Sequence, residues 1–271
     1  MKKAILLFLT AALACGLIAC SGGNTDKSAG NHGDSASSHP VEYATVDPST
    51  IRSSFEKGEK LVENSFDVKN MNVRTQDDDG GAALYQYWSP KEETNADSLS
   101  KEIELDGHKL TLGETIIGEL EDYDWKLEKS SDTEQPNEVI AITLNKDGKY
   151  CAVQPKPNDT DQALPIADLP LSAVITAVRE FSLPYTYSGI TAQSTLKDVL
   201  DALGTPNKMI TLCSDDTGVS LELDYGTTKR DGNQVTDLTV TIYLTCDTEN
   251  NTATVSSLNL SEETHTAEEG K

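Results

Sequence analysis

Histidine, cysteine and basic side chains are all scarce in this chain, and each scarcity excludes a class of function. Four histidines occur in 271 residues. His32 and His39 fall in a Ser/Gly/Asn-rich stretch and His265 stands near the C-terminus, which leaves His108 beside an exposed Asp-Gly turn. Imidazole catalysis needs a positioned ring with an oriented partner. No G-x-S-x-G, phosphate-loop, H-E-x-x-H or dinucleotide pattern accompanies these histidines. Of the five cysteines, Cys15 and Cys20 lie in the first twenty residues. Cys151, Cys213 and Cys246 remain, an odd number without zinc spacing. If Cys213 and Cys246 end the first and third strands of a meander, they stand about 10 Å apart, too far for a disulfide. Three free thiols are therefore expected. Lys and Arg number 22 against 45 Asp and Glu, a net charge of −23, and such a surface repels nucleic acid and anionic lipid. Carboxylate pairs such as Asp215/Asp216 and Glu121/Asp122 read as solvated surface pairs. No catalytic residue, metal or cofactor is expected.

What the chain does have begins at its N-terminus. Residues 1–20 read M-K-K-A-I-L-L-F-L-T-A-A-L-A-C-G-L-I-A-C. Two lysines precede an apolar run too short for a comfortable membrane span, and small residues close it, as in a secretory signal peptide. The ending Leu17-Ile18-Ala19-Cys20 resembles the bacterial lipobox. That resemblance implies cleavage after residue 19 and a diacylglyceryl group on Cys20. Cys15 competes less well, because Ala12 stands where a branched residue is usual. Residues 20–47 carry almost no large apolar side chains and cannot bury enough surface to order themselves. They read as a tether of roughly 30 Å root-mean-square span.

The remainder reads as about 220 residues of mixed α and β structure. A helix is expected from residue 47 to about 63, on weak apolar spacing (Ile51, Phe55, Leu61, Val62). Residues 66–73 and 82–88 read as two strands around the acidic loop Gln76-Asp77-Asp78-Asp79-Gly80-Gly81. That loop lacks the alternating oxygens and distal glutamate of a calcium-binding EF-hand loop. Tyr85, Tyr87 and Trp88 form an aromatic cluster read as core or edge packing. A hairpin is expected across 99–112 around Asp106-Gly107, and another at 139–153 around Asn145-Lys146-Asp147-Gly148. Residues 125–129 and 173–181 read as strands and 155–171 as a proline-bearing loop. Four further strands are expected at 208–214, 219–225, 237–244 and 255–260, then an acidic frayed tail at 261–271.

The best-punctuated segment is residues 195–206, T-L-K-D-V-L-D-A-L-G-T-P. Leu196, Val199, Leu200 and Leu203 form one helical stripe. Thr195 and Asp198 stand in capping-box positions, and Gly204 and Pro206 end the helix. Leu200, mid-stripe, is expected to be buried. An ungapped match sets residues 107–123 against 187–203, an offset of 80. It pairs Thr111 with Thr191, Thr115 with Thr195, Ile116 with Leu196 and Leu120 with Leu200. It fails at Glu119 opposite Val199, and Gly118 weakens the first helix. The expected fold class is α+β. It consists of two tandem helix-plus-antiparallel-sheet repeats, the first within 48–181 together with an N-terminal extension and the second at 182–260, the sheet facing solvent on one side.

The leader, the tether, I-E-L-D-G-H-K-L-T-L-G-E-T and Y-S-G-I-T-A-Q-S-T-L-K-D-V-L-D-A-L-G-T-P-N resemble small lipoproteins of Gram-positive bacteria. The second half is also similar to the β-lactamase-inhibitor-protein-like and outer-membrane-assembly-lipoprotein-like superfamily of helix-plus-sheet repeats. The resemblance spans about residues 99–260 and rests on caps and turns, which specify fold rather than ligand. It implies protein binding or envelope scaffolding. Alternation places Leu221, Leu223, Leu238, Val240, Ile242 and Leu244 toward the helices. Glu222, Asp224, Thr239, Thr241, Tyr243 and Thr245 then face the other way. Glu222, Asp224, Thr239, Thr241 and Tyr243 are the candidate binding residues, with Tyr243 expected to be exposed. The expected protein is a non-catalytic binding or scaffold module outside the cytoplasm, held to the membrane through Cys20, with a protein or cell-wall partner. A secreted inhibitor gripping an enzyme with its sheet, and a hydrolase using carboxylates alone, are the alternatives.

Overall fold

Backbone hydrogen bonding in this chain goes mostly into one large antiparallel sheet. The computed structural model describes residues 48–65, 70–78, 81–89, 99–129, 131–134, 140–158, 160–214 and 218–266. The leader, Cys20, the tether and the tip of the acidic loop lie outside them. The elements are α1 (Pro48–Ser65), β1 (Asn70–Asp78), β2 (Gly81–Ser89), β3 (Glu102–Leu105), β4 (His108–Thr111), β5 (Lys126–Glu128), β6 (Thr133–Glu134), β7 (Ile142–Lys146), β8 (Lys149–Pro155), β9 (Leu164–Pro165), β10 (Leu171–Thr176), β11 (Tyr185–Thr186), α2 (Leu196–Leu203), β12 (Lys208–Ser214), β13 (Gly218–Asp231), β14 (Gln234–Asp247) and β15 (Thr252–Thr266). Ten strands make one sheet in the order β1-β2-β12-β13-β14-β15-β10-β8-β7-β5. The pairs β3–β4 and β3–β11 form a small second sheet, and β6–β9 a third.

The sheet has two unlike faces because the strands alternate. On β13 and β14, Leu221 stands opposite Leu244, Leu223 opposite Ile242 and Tyr225 opposite Val240. All six are buried, and with Leu258 and Leu260 of β15 they form the core. The helices cover this face. From α1, Ile51 and Phe55 pack with Leu84, Cys213 and Val219, while Leu61 and Val62 join the main core. Gly58 permits that approach, since a Cβ there would collide with Val219 Cγ1.

α2 carries the expected caps. Thr195 N–H donates to Asp198 Oδ2 at 2.7 Å and Asp198 N–H to Thr195 Oγ1 at 3.3 Å. Gly204, at φ 74°, ends the helix, and its N–H donates to the Leu200 carbonyl. The Tyr225 hydroxyl then ties the Gly204 carbonyl to the sheet at 3.1 Å. The stripe is rotated relative to expectation: Leu196, Val199 and Leu203 are buried, whereas Leu200 is half-buried at the core's margin. A helix of eight residues touches the sheet along one line, and Leu200 lies to one side of it.

Residues 115–123 are not an α-helix. They form a 3-10 turn over Ile117–Asp122, pressed so closely on the 3-10 turn Ile166–Asp168 that a Cβ on Gly118 would lie 2.9 Å from the Ala167 carbonyl oxygen. Glu119 still reaches back to the Ile116 N–H at 3.4 Å. This places Ile116 opposite Thr195 and Glu119 opposite Asp198, one residue away from the ungapped sequence match. The C-terminus also differs from the frayed tail expected at 261–271. β15 runs on to Thr266, paired with Gln234, because β13 to β15 are fourteen or fifteen residues long. Glu262, within that extension, pairs with Lys101.

Candidate functional site

The face of the ten-stranded sheet opposite α1 and α2 collects the five candidate side chains. Tyr243 lies directly across from Glu222, Thr241 from Asp224 and Thr239 from Gly226. All five are partly exposed. The register brings in β12 and β2 as well: Ile210 pairs with Glu222 and with Tyr87, and Lys208 pairs with Asp224. One row therefore reads Tyr87, Ile210, Glu222, Tyr243, Ser257, and the next Lys208, Asp224, Thr241, Asn259.

The side chains on this face are coupled. Thr241 Oγ1 donates to Asp224 Oδ1 at 2.9 Å. Lys208 Nζ sits 3.8 Å from Asp224 Oδ2 and 5.3 Å from the centre of the Tyr87 ring. Glu222, between Ile210 and Tyr243, is only shallowly wetted. Burial first, and then the Asp224 charge, push its carboxyl up to about 7 against a partial offset by Lys208. Burial, Glu222 and Asp224 push the Tyr243 phenol up to about 12. Tyr243 is thus on the expected face but half-buried, since Glu222 and Ser257 flank it at strand spacing.

Sequence reading missed Ile210 and Lys208, and it set Tyr87 with Trp88 in a packing cluster. In A-A-L-Y-Q-Y-W, alternation alone separates Tyr85 and Tyr87 from buried Leu84, Gln86 and Trp88. Trp88 is core, as read; the two tyrosines are on the open face. No local signal tells β2 that it lies beside β12, more than a hundred residues later.

Other clusters are structural. His108 is not a free turn residue: it stacks on Tyr123 at 3.9 Å and meets Trp125 edge-on at 5.3 Å. Trp125 Nε1 and Lys146 Nζ both donate to Asp106 Oδ2, fastening the β3–β4 hairpin to the large sheet. The Lys146 hydrogen bond holds the Asp106 carboxyl below its usual range. A shallow cleft of about 270 Å³ lies beside Lys149, Arg179 and Gln193. There Arg179 is spent on the Val255 carbonyl, through Nε and Nη2 at 3.1 and 2.8 Å. Cys213 and Cys246 both pair with Val219, one on each side, and like Cys151 they are free thiols. Among the described residues no group of three or more His, Cys, Asp and Glu side chains is placed to hold a metal, and no helix is long and apolar enough to cross a membrane. No protein-family model matches the chain, and no curated protein or solved structure matches it.

Proposed function

We propose that this chain is a lipid-anchored, extracytoplasmic binding module that docks a protein or cell-wall partner on the open face of its sheet and carries out no chemistry. The observation that carries the reading is the open face itself. Tyr87, Glu222 and Tyr243, each partly exposed, share one row of the sheet with buried Ile210 between Tyr87 and Glu222, on the side away from both helices. Tyrosine suits docking because it brings large area and a hydroxyl at low entropic cost. The anchor rests on Leu17-Ile18-Ala19-Cys20.

A duplicated helix-plus-sheet architecture, of the inhibitor-like kind, belongs to the same proposal. Supporting it, Thr111 N–H donates to Thr115 Oγ1 and Thr191 N–H to Ser194 Oγ. The Thr115 carbonyl accepts from Leu171 N–H and the Ser194 carbonyl from Val255 N–H. Each helical turn leads into a four-stranded meander, β5-β7-β8-β10 or β12-β13-β14-β15, and the two meanders meet at their last strands. The shared order of hydroxyl-closed turn, helical segment and meander supports a duplication.

The docking reading is tested by placing a photocrosslinking amino acid at position 243 and, separately, at position 201 on the exposed side of α2, in the producing cell. A discrete adduct from 243 that is absent from 201 is expected. Equal labelling from both positions, or none from 243, overturns the open face as the docking surface.

A further inference from the structure

We infer that the partner meets this face with a cationic side chain, an arginine or lysine on a projecting loop, received between Glu222, Asp224 and the rings of Tyr87 and Tyr243. The inference rests on the open face being the docking surface, and it specifies what docks there.

The accessible unmatched group on the face is an acceptor, the Glu222 carboxylate. Glu222 feels Asp224 and Lys208 only through space and receives no hydrogen bond from either. A guanidinium is the complement of such a surface, with five donors and no acceptor. An acidic or phosphorylated loop would set acceptor against acceptor and charge against like charge, in a chain whose net charge is already −23. The face also displays how a cation sits on it: the Lys208 ammonium lies over the Tyr87 ring and beside Asp224, combining a ring quadrupole with a carboxylate. One lysine against two carboxylates leaves a negative charge unmatched.

The charged and titratable groups around Glu222 are Asp224 on its own strand, Lys208 diagonally on β12 and Tyr243 opposite on β14; Ile210 closes the remaining side without charge. With its carboxyl at about 7, Glu222 is part protonated at neutral pH. An arriving cation favours the ionised form, so binding releases a proton and tightens as pH rises. A partner that accepted a hydrogen bond from protonated Glu222 would give the opposite trend.

The test uses the full mature chain with ¹³C-labelled glutamate carboxyls. The Glu222 resonance is assigned by its loss in E222Q and titrated from pH 5 to 9 with acetyl-arginine amide, then with acetyl-glutamate amide, at matched ionic strength. The arginine compound should lower the Glu222 midpoint by about half a unit or more, leaving Glu249, at the β14–β15 turn, in place. For a half-unit displacement its affinity should rise about two- to threefold between pH 6 and pH 8, with about tenfold as the ceiling if only the ionised form binds, and E222Q should abolish that rise. Equal displacement of Glu222 and Glu249, or tighter binding at low pH, overturns the inference. An adduct at position 243 with an unmoved Glu222 resonance overturns the cationic partner and leaves the docking face standing. A Glu222 response with no adduct at 243 overturns the docking face instead.

Discussion

Glu222 and Tyr243 stand directly opposite each other on β13 and β14, on the side of the sheet away from the helices. A carboxylate that shares a row with Ile210 and a tyrosine ring loses water on both flanks without gaining a cation of its own. Such a group costs stability when it ionises.

That cost is measurable. The Glu222 carboxyl stands at about 7 in the folded chain, above its value in the unfolded one. The folded state therefore binds the proton more tightly, and stability falls as pH rises from the unfolded value through 7. E222Q removes this fall. Relative to wild type, the variant should gain on the order of 2 kcal/mol between pH 5 and pH 8 by denaturant unfolding. A constant difference across that range would show that Glu222 is not desolvated.

The line of contact under α2 predicts unequal costs along its stripe. Leu196→Ala, at a buried position, should cost about 2–5 kcal/mol. Leu200→Ala, at the margin, should cost about half as much or less. Thermal or urea melts of the two variants decide it, and a larger loss at Leu200 would mean the helix is rotated about its axis.

Glycine to alanine normally favours a helical turn by up to about 1 kcal/mol. At Gly118 the sign should reverse. The new methyl would press on the Ala167 carbonyl at 2.9 Å, so Gly118→Ala should destabilise by about 1–3 kcal/mol. A stabilised variant would show that the two 3-10 turns are not packed together.

Cys20→Ala should release the protein from membranes or leave the leader uncut. Fractionation of producing cells, with gel mobility as a check on cleavage, reads both outcomes. Identical soluble mature protein from wild type and variant would remove the anchor from the proposal.

By itself the sequence determined whatever depends on near neighbours. The capping box of Thr195 and Asp198 is local hydrogen bonding. The turn at Asp106-Gly107 reflects backbone conformations that few residues tolerate, with φ of 49° and 82°. The facing of Leu221, Leu223, Val240 and Ile242 follows from a period of two, and the strand count between Cys213 and Cys246 was enough to keep those thiols apart. Tertiary structure decided the rest. Whether residues 117–122 wind as α-helix or 3-10 turn depended on the close approach of Ala167, some fifty residues away in sequence, a contact that no periodicity encodes. Ser261 to Thr266 hold as strand because β14 supplies partners on one side, although their own composition is acidic and polar. The candidate site followed the same division. Its Glu222, Asp224, Thr239, Thr241 and Tyr243 were legible from alternation within two strands. Tyr87, Lys208 and Ile210 joined them only through lateral register, since the order in which strands lie side by side is set by burial of the whole covered face and not by any one strand.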